Sequence, residues 1–351
     1  MKNFDFNGRI NNSVTLNQDT VNLIKKAVKG KKYIKLNIGI MAGGQTIIKT
    51  FGENGEIDYE NNVYEIGSIT KTFTASLMAK YISQDQMRLN DPINKYIPGL
   101  DPDKYYPSLQ RIATHTAGYS AIYPLSNWEF AGLGKDLLFG KGKTQQENPF
   151  NMDFNKMLEL IQKSKLKDRD YKWKYSNFGI SLLGYAIGSV SGCGYWDTMT
   201  DFLANDLELK NTYLGTVSNK NLKGFNSKNE DCGNWQWDKD GTSVSCGGLS
   251  STAEDLLAYA RANMYEEKNY LALCHKKYAS ASKKNDMGLA WGLDKKNNNI
   301  MDHQGGTGCF SSTLVIDKEK KTAVVLLSNY RLAGLEVKIG TSILDDITFA
   351  Q

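Results

Sequence analysis

Phe310-Ser311-Ser312-Thr313-Leu314-Val315-Ile316 and Thr322-Ala323-Val324-Val325-Leu326-Leu327-Ser328 read as two strands joined by the charged turn Asp317-Lys318-Glu319-Lys320-Lys321. Just upstream, residues 287–293 and 299–304 also have strand length, and an amphipathic helix is expected over 334–347. The N-terminal part has the same character. Apolar Val21, Leu23, Ile24, Ala27 and Val28 form a helical stripe behind the cap residue Asp19. Then Ile34, Leu36, Ile38 and Ile40 alternate with Lys35, Asn37 and Gly39, and residues 45–51 follow the turn Ala42-Gly43-Gly44, which is the pattern of a β-hairpin.

From about Leu89 to Tyr259 the signals change to helices, over 155–163 and 180–190, and to irregular stretches over 98–107 and 213–241. Strands at both ends around a helical middle predict an α+β fold. Its antiparallel sheet is built from both termini and flanked by helices. The expected division is a discontinuous α/β domain, 1–88 with 260–351, and an α-rich inserted domain, 89–259. A cleft where the two bodies meet is the expected place for a site.

Composition removes several function classes. The 351 residues carry 43 Lys and Arg against 38 Asp and Glu, a formal charge of only +5. Basic clusters at 25–32, 163–174 and 283–296 are short and interrupted, so they read as solvated faces, and no nucleic-acid partner is expected. No window approaches the roughly eighteen uninterrupted apolar residues of a transmembrane segment. The start, Met1-Lys2-Asn3-Phe4-Asp5, has no apolar signal region, which points to the cytoplasm, with an extracytoplasmic site the alternative if a signal was removed. Cys193, Cys232, Cys246, Cys274 and Cys309 are odd in number, irregularly spaced and without a C-x-x-C pair; they are expected as free, mostly buried thiols in a reducing compartment. His115, His275 and His303 lie far apart with no ligand-spaced neighbour, so neither a metal nor another cofactor is called for.

Chemistry concentrates in Tyr64-Glu65-Ile66-Gly67-Ser68-Ile69-Thr70-Lys71-Thr72-Phe73-Thr74-Ala75. A helix starting at or just before Ser68, amphipathic through Phe73, Leu77, Met78 and Tyr81, puts Ser68 and Lys71 on one face of its first turn. A serine hydroxyl is a poor nucleophile until a neighbouring base takes its proton, and a lysine can be that base. The helix N-terminus adds a backbone N–H toward a developing oxyanion. Two further groups accompany the pair. Trp173-Lys174-Tyr175-Ser176-Asn177-Phe178-Gly179 opens a helix with a phenol and an amide two residues apart. Asp302-His303-Gln304-Gly305-Gly306-Thr307-Gly308 ends a strand, and its glycines let a substrate backbone approach the strand edge.

In this order and at these separations, Ser68-x-x-Lys71, Tyr175-x-Asn177 and His303-x-Gly305 resemble the three motifs of the penicillin-recognising serine hydrolases, in the class C β-lactamase-like branch. That branch holds β-lactamases, D-aminopeptidases, DD-carboxypeptidases (penicillin-binding proteins) and family VIII esterases. The resemblance covers nearly the whole chain. Arg88-Leu89-Asn90-Asp91-Pro92-Ile93, Arg111-Ile112-Ala113-Thr114-His115-Thr116-Ala117-Gly118, Leu207-Glu208-Leu209-Lys210-Asn211-Thr212 and the run from Cys246 to Leu256 also resemble its connecting segments.

The resemblance implies a β-lactamase/transpeptidase-like fold and two-step acyl transfer. Ser68 would form an acyl-enzyme, Lys71 and Tyr175 would share the base and acid work, and the N–H groups of Ser68 and Gly306 would form an oxyanion hole. Asn177 would orient the substrate amide, with His303 and Gly305 completing the binding strand. The family usually has K-[TS]-G as its third motif; here His303 and Gln304 stand in place of the cation and the hydroxyl. An ordinary imidazole is largely neutral at pH 7, so the grip on a substrate carboxylate is expected to be weaker.

The expectation is therefore a cofactor-free serine hydrolase acting on an ester or amide in a small-molecule or short-peptide substrate, including D-amino-acid ones. A β-lactamase or DD-carboxypeptidase is the alternative within the chemistry, and a non-catalytic binding or scaffold descendant the alternative outside it. Gly140-Lys141-Gly142-Lys143-Thr144 lacks the upstream glycine of a P-loop, Asp238-Lys239-Asp240-Gly241 lacks further calcium ligands, and no G-x-S-x-G surrounds Ser68. His115 is expected as a hydrogen-bonded packing residue. Trp235 and Trp237 are expected either as cleft lining or as buried anchors.

Overall fold

The computed structural model describes residues 4–10, 14–120, 148–217 and 220–350, with side chains through residue 347. The glycine-rich run 140–144 lies outside the described residues.

Near the N-terminus, β1 (Leu36–Ala42), β2 (Gln45–Gly52) and β3 (Gly55–Ile57) follow one another through tight turns. The middle of the chain contributes only short strands: β4 (Tyr64–Glu65), β5 (Tyr213–Leu214), β6 (Gly224–Phe225), β7 (Asp231–Gly233) and β8 (Leu249–Ser251). The C-terminal part supplies β9 (Ala279–Ser280), β10 (Asn285–Met287), β11 (Gly292–Asp294), β12 (Ile300–Gly306), β13 (Ser311–Asp317) and β14 (Thr322–Ser328). Among the described residues the main sheet runs β3-β2-β1-β14-β13-β12-β11-β10-β9, antiparallel throughout. The two ends of the chain meet in its centre, where Leu36 pairs with Ser328 and Met41 with Ala323.

Every residue of β13 and β14 is buried. Val315, Val324 and Leu326 face one core with the helices Gln18–Val28 and Leu335–Ala350; Leu314, Ile316, Val325 and Leu327 face the other, with the helical middle of the chain. Strands covered on both sides have no solvent face to keep polar, which is why residues 322–327 read as an unbroken apolar run. Each Val or Leu so buried contributes about 1.5–3 kcal/mol.

Several expectations need correction. The helix after Ser68, Thr70–Ser83, is not amphipathic: Thr70 through Ala79 are all buried. Its hydroxyls are satisfied inside the core, Thr74 Oγ1 donating to the Ser245 carbonyl at 2.7 Å and lying 2.7 Å from the Tyr195 hydroxyl, with Ser76 Oγ 3.0 Å from Tyr259 Oη. The single strand expected over 287–293 is two, β10 and β11. They are parted by a turn in which Ala290 takes φ +58° and its N–H is drawn to the Ala113 carbonyl at 2.9 Å. Finally, Cys232 and Cys309 form a disulfide across 77 residues, leaving Cys193, Cys246 and Cys274 free. The bridge ties β7 to the segment leading into β13, and the thiol argument for a reducing compartment falls with it.

Among the described residues no helix is long and apolar enough to cross a membrane. The segment over 213–241, expected to be irregular, carries β5, β6 and β7.

Candidate active site

Ser68 sits in a 3-10 turn, Gly67–Ile69, that runs into the helix Thr70–Ser83. Gly67 has φ +50°, and a Cβ on it would lie 2.5 Å from the Gly306 nitrogen. A Cβ on Gly305 would meet the Ile66 carbonyl at 2.0 Å and the Ser68 nitrogen at 2.9 Å. Gly305 is thus required by the Ser68 segment packed against it, and Gly306 by Arg331, before any substrate is considered. Ser312 Oγ, one strand further in, donates to the Ile66 carbonyl at 2.7 Å and fixes the same junction.

Lys71 is fully buried, and its Nζ donates to Ser68 Oγ at 3.0 Å and to the Cys246 carbonyl. It also lies 4.9 Å from the centre of the Tyr175 ring. Tyr175 precedes the helix Asn177–Ser191, whose cap, Ser176 Oγ, accepts the Gly179 N–H at 2.9 Å. The three motifs, 100 and more residues apart in sequence, therefore converge on one place.

That place is a cavity of about 630 Å³ lined by Ser68, Tyr175, His303, Gly305 and Gly306, together with His115, Trp173, Asp302, Arg331 and Glu336. On its other side Ser68 also borders a recess of about 170 Å³ shared with Asn177, Phe150, Trp235 and Trp237. Trp235 is both buried and lining, while Trp237 lines the recess and is half-buried. β12 pairs with β11 only at Met301 and Asp302, so its edge from His303 onward is open toward the cavity.

His303 Nδ1 lies 2.7 Å from the Gln304 carbonyl, which makes it the protonated nitrogen. Burial, and then the Lys71 charge, pull the imidazole down to about 3, so it is neutral across the physiological range. His115 is held well below its ordinary value by burial, by Lys71 and by His303. Asp302 is raised to about 6 by burial and by Asp294. Among the described residues no group of three or more His, Cys, Asp or Glu side chains is placed to hold a metal ion.

Several of these residues were not singled out from the sequence. Arg331 donates from Nη1 to the Thr307 carbonyl at 3.0 Å and stands against Gly306. Its only sequence signal is a lone cation directly after the last strand. Glu65, three residues before Ser68, is buried and accepts the Trp235 N–H at 2.9 Å. Burial raises its carboxyl to about 7.

A folded-state value above the ordinary 4.5 means that Glu65 contributes stability fully below about pH 4.5, which is lost as pH rises through about 7. Glu65→Gln keeps the acceptor for Trp235 and cannot ionise. Its melting temperature, measured against the wild type, is expected to gain between pH 5 and pH 8.5. A difference that stays flat across that range would show that Glu65 does not titrate there.

The comparisons with known proteins agree with this architecture. Residues 21–341 match the family model described as Beta-lactamase. A Beta-lactamase from Providencia stuartii is 24% identical over 262 residues, 72% of this chain and 61% of that protein. The D-alanyl-D-alanine-carboxypeptidase/endopeptidase AmpH of Escherichia coli (strain K12) is 25% identical over 185 residues, 49% of this chain and 43% of that protein. The chain thus spans about half the length of the curated relatives it matches. The crystal structure of a Beta-Lactamase/D-Alanine Carboxypeptidase from Pseudomonas syringae superposes with a TM-score of 0.75 at 18% identity, covering 93% of this chain and 97% of the other. A class C beta lactamase from Rhodobacter sphaeroides gives 0.73 at 16%, covering 95% and 99%. The fold is that of β-lactamases and transpeptidases, and the chain belongs to the β-lactamase family.

Proposed function

We propose that the chain is a serine hydrolase that cleaves an ester or amide in a small acyl, D-amino-acid or short-peptide substrate through an acyl-enzyme on Ser68. The observation that carries this reading is the buried Lys71 Nζ 3.0 Å from Ser68 Oγ at the wall of an open cleft. Ser68 attacks the carbonyl carbon while its proton passes to the unprotonated member of the Lys71–Tyr175 pair, a free amine or a phenolate. The N–H groups of Ser68 and Gly306 receive the oxyanion, and the pair returns the proton to the leaving alcohol or amine. Asn177 orients the substrate amide, while His303 and Gly305 present the strand edge along which the substrate lies. Water then attacks the acyl-enzyme and frees Ser68.

β-Lactam hydrolysis or DD-carboxypeptidase action is the second reading, and the names of the relatives favour it. Against it, the imidazole in the third motif is neutral and offers no charge to a carboxylate. A non-catalytic role fits poorly with a serine, lysine and tyrosine gathered at one cleft. The Cys232–Cys309 bridge supports an oxidising, extracytoplasmic compartment over the cytoplasm.

Intact-mass spectrometry after exposure to a fluorophosphonate and, separately, to a penicillin tests the proposal. A Ser68 adduct with the fluorophosphonate and none with penicillin is the expected result. Adducts with both would favour the second reading, and none with either would end the hydrolase reading.

A further inference from the structure

Tyr175 lies outside any helix or strand, one residue before the cap of Asn177–Ser191, so regular structure does not fix its phenol. Backbone hydrogen bonds on both sides of it run to one residue 60 positions earlier, while Ser176 Oγ also donates to the Ser120 carbonyl at 2.7 Å. The carbonyl of His115 accepts the N–H of Lys174 at 2.9 Å, and His115 Nδ1 accepts the N–H of Ser176 at 3.2 Å. The backbone on both sides of Tyr175 therefore ends on His115. Between these two bonds the imidazole packs against the phenol ring, with centroids 4.7 Å apart.

This bracket depends on an uncommon backbone conformation. His115 has φ +60°, the left-handed region that a non-glycine residue adopts at a cost. The side chain is 2% exposed and borders the cleft. Because Nδ1 accepts a hydrogen bond, the neutral ring carries its hydrogen on Nε2, and that buried nitrogen has no partner among the described residues. A buried polar atom left in this state marks a residue kept for something other than packing.

We propose that His115 is a positioning residue for Tyr175: it clamps the 174–176 backbone from both sides and keeps the phenol ring beside the Lys71 ammonium. The proposal rests on the reading of Tyr175 as part of the acid–base pair. The neutral form is the one that serves, since an imidazolium would lose the Nδ1 lone pair that holds Ser176 and would add a second cation next to Lys71.

Two substitutions separate clamping from filling. His115→Asn keeps an acceptor near the Nδ1 position and tolerates the left-handed backbone; His115→Phe keeps a ring and removes the acceptor. With a p-nitrophenyl ester, kcat of His115→Phe is expected to fall by about 10- to 100-fold with KM within about threefold, the scale of a misplaced catalytic group. His115→Asn should recover kcat to within about fivefold of the wild type. Wild-type kcat in His115→Phe, or equal impairment in both variants, would overturn the clamp. Tyr175→Phe, measured alongside, should lose about 100-fold or more; if it keeps wild-type kcat, the underlying reading of Tyr175 fails instead.

A readout independent of turnover comes from the unmutated chain. With only three histidines, long-range ¹⁵N–¹H spectra of the full chain at pH 7 can be assigned by substitution. His115 is expected as the neutral tautomer protonated at Nε2, and an imidazolium or an Nδ1–H form would overturn the proposal even if His115→Phe does not fold.

Discussion

Ser68→Ala is expected to hydrolyse p-nitrophenyl esters at least about a thousandfold more slowly than the wild type, a loss of about 4 kcal/mol of transition-state stabilisation. The same variant should take up no fluorophosphonate. The serine oxygen is the group that would form the covalent bond, and no rearrangement of the cleft supplies another at that position. What survives its removal is oxyanion stabilisation and binding, which leave a residual rate above that of water. Folding should be nearly untouched. Ser68 is only partly buried, and Lys71 Nζ, which loses one acceptor, keeps the Cys246 carbonyl as the other. A change in stability below about 1 kcal/mol is therefore expected, so lost activity cannot be blamed on unfolding. Undiminished turnover, or an adduct still formed on the variant, would place the nucleophile elsewhere.

How much of this was legible beforehand depended on whether the signal was local. The β13–β14 pair was readable because seven-residue runs of aliphatic and β-branched residues flank a charged turn, and both runs have the observed bounds to within a residue. The Ser68–Lys71 contact was readable because residues three apart share a face of any helical turn. The burial of the helix from Thr70 to Ala79 on every side was not. Its threonines and serine look like a solvent face until Ser245, Tyr195 and Tyr259, more than 100 residues away, arrive to satisfy them.

The disulfide failed for the same reason: spacing along the chain says nothing about which cysteines the fold brings within bonding distance. Ala290 breaks a strand-like run through a tertiary hydrogen bond to Ala113, with no glycine at 290 to signal the turn. At the site, the motif residues were named in advance, but Arg331 and Glu336 were not. They reach the cavity from the loop after β14 and from the helix that follows it, and no residue pattern records such placements.

Lys71→Met should divide activity from stability more sharply than any other single change. The Lys71 amine is fully buried, and its two acceptors, a hydroxyl and a carbonyl, are neutral. A buried amine held only by neutral acceptors is costly to fold around, and methionine fills much of the same volume at no such cost. Two hydrogen bonds are lost, and the one at the buried Cys246 carbonyl costs more, about 1–3 kcal/mol, because Ser68 is only partly buried and can turn to water. The melting temperature should therefore hold or rise, while kcat/KM for a p-nitrophenyl ester falls by about 10²- to 10⁴-fold through loss of the group beside Ser68 Oγ. The Lys71 charge is also one of the causes holding His303 at about 3 and His115 well below its ordinary value. Removing it should move both imidazoles upward in a ¹⁵N NMR titration. Turnover within tenfold of the wild type would take Lys71 out of the proposed chemistry. Unmoved histidines would mean that burial alone keeps them neutral and that the electrostatic coupling across the cleft is weaker than the geometry indicates.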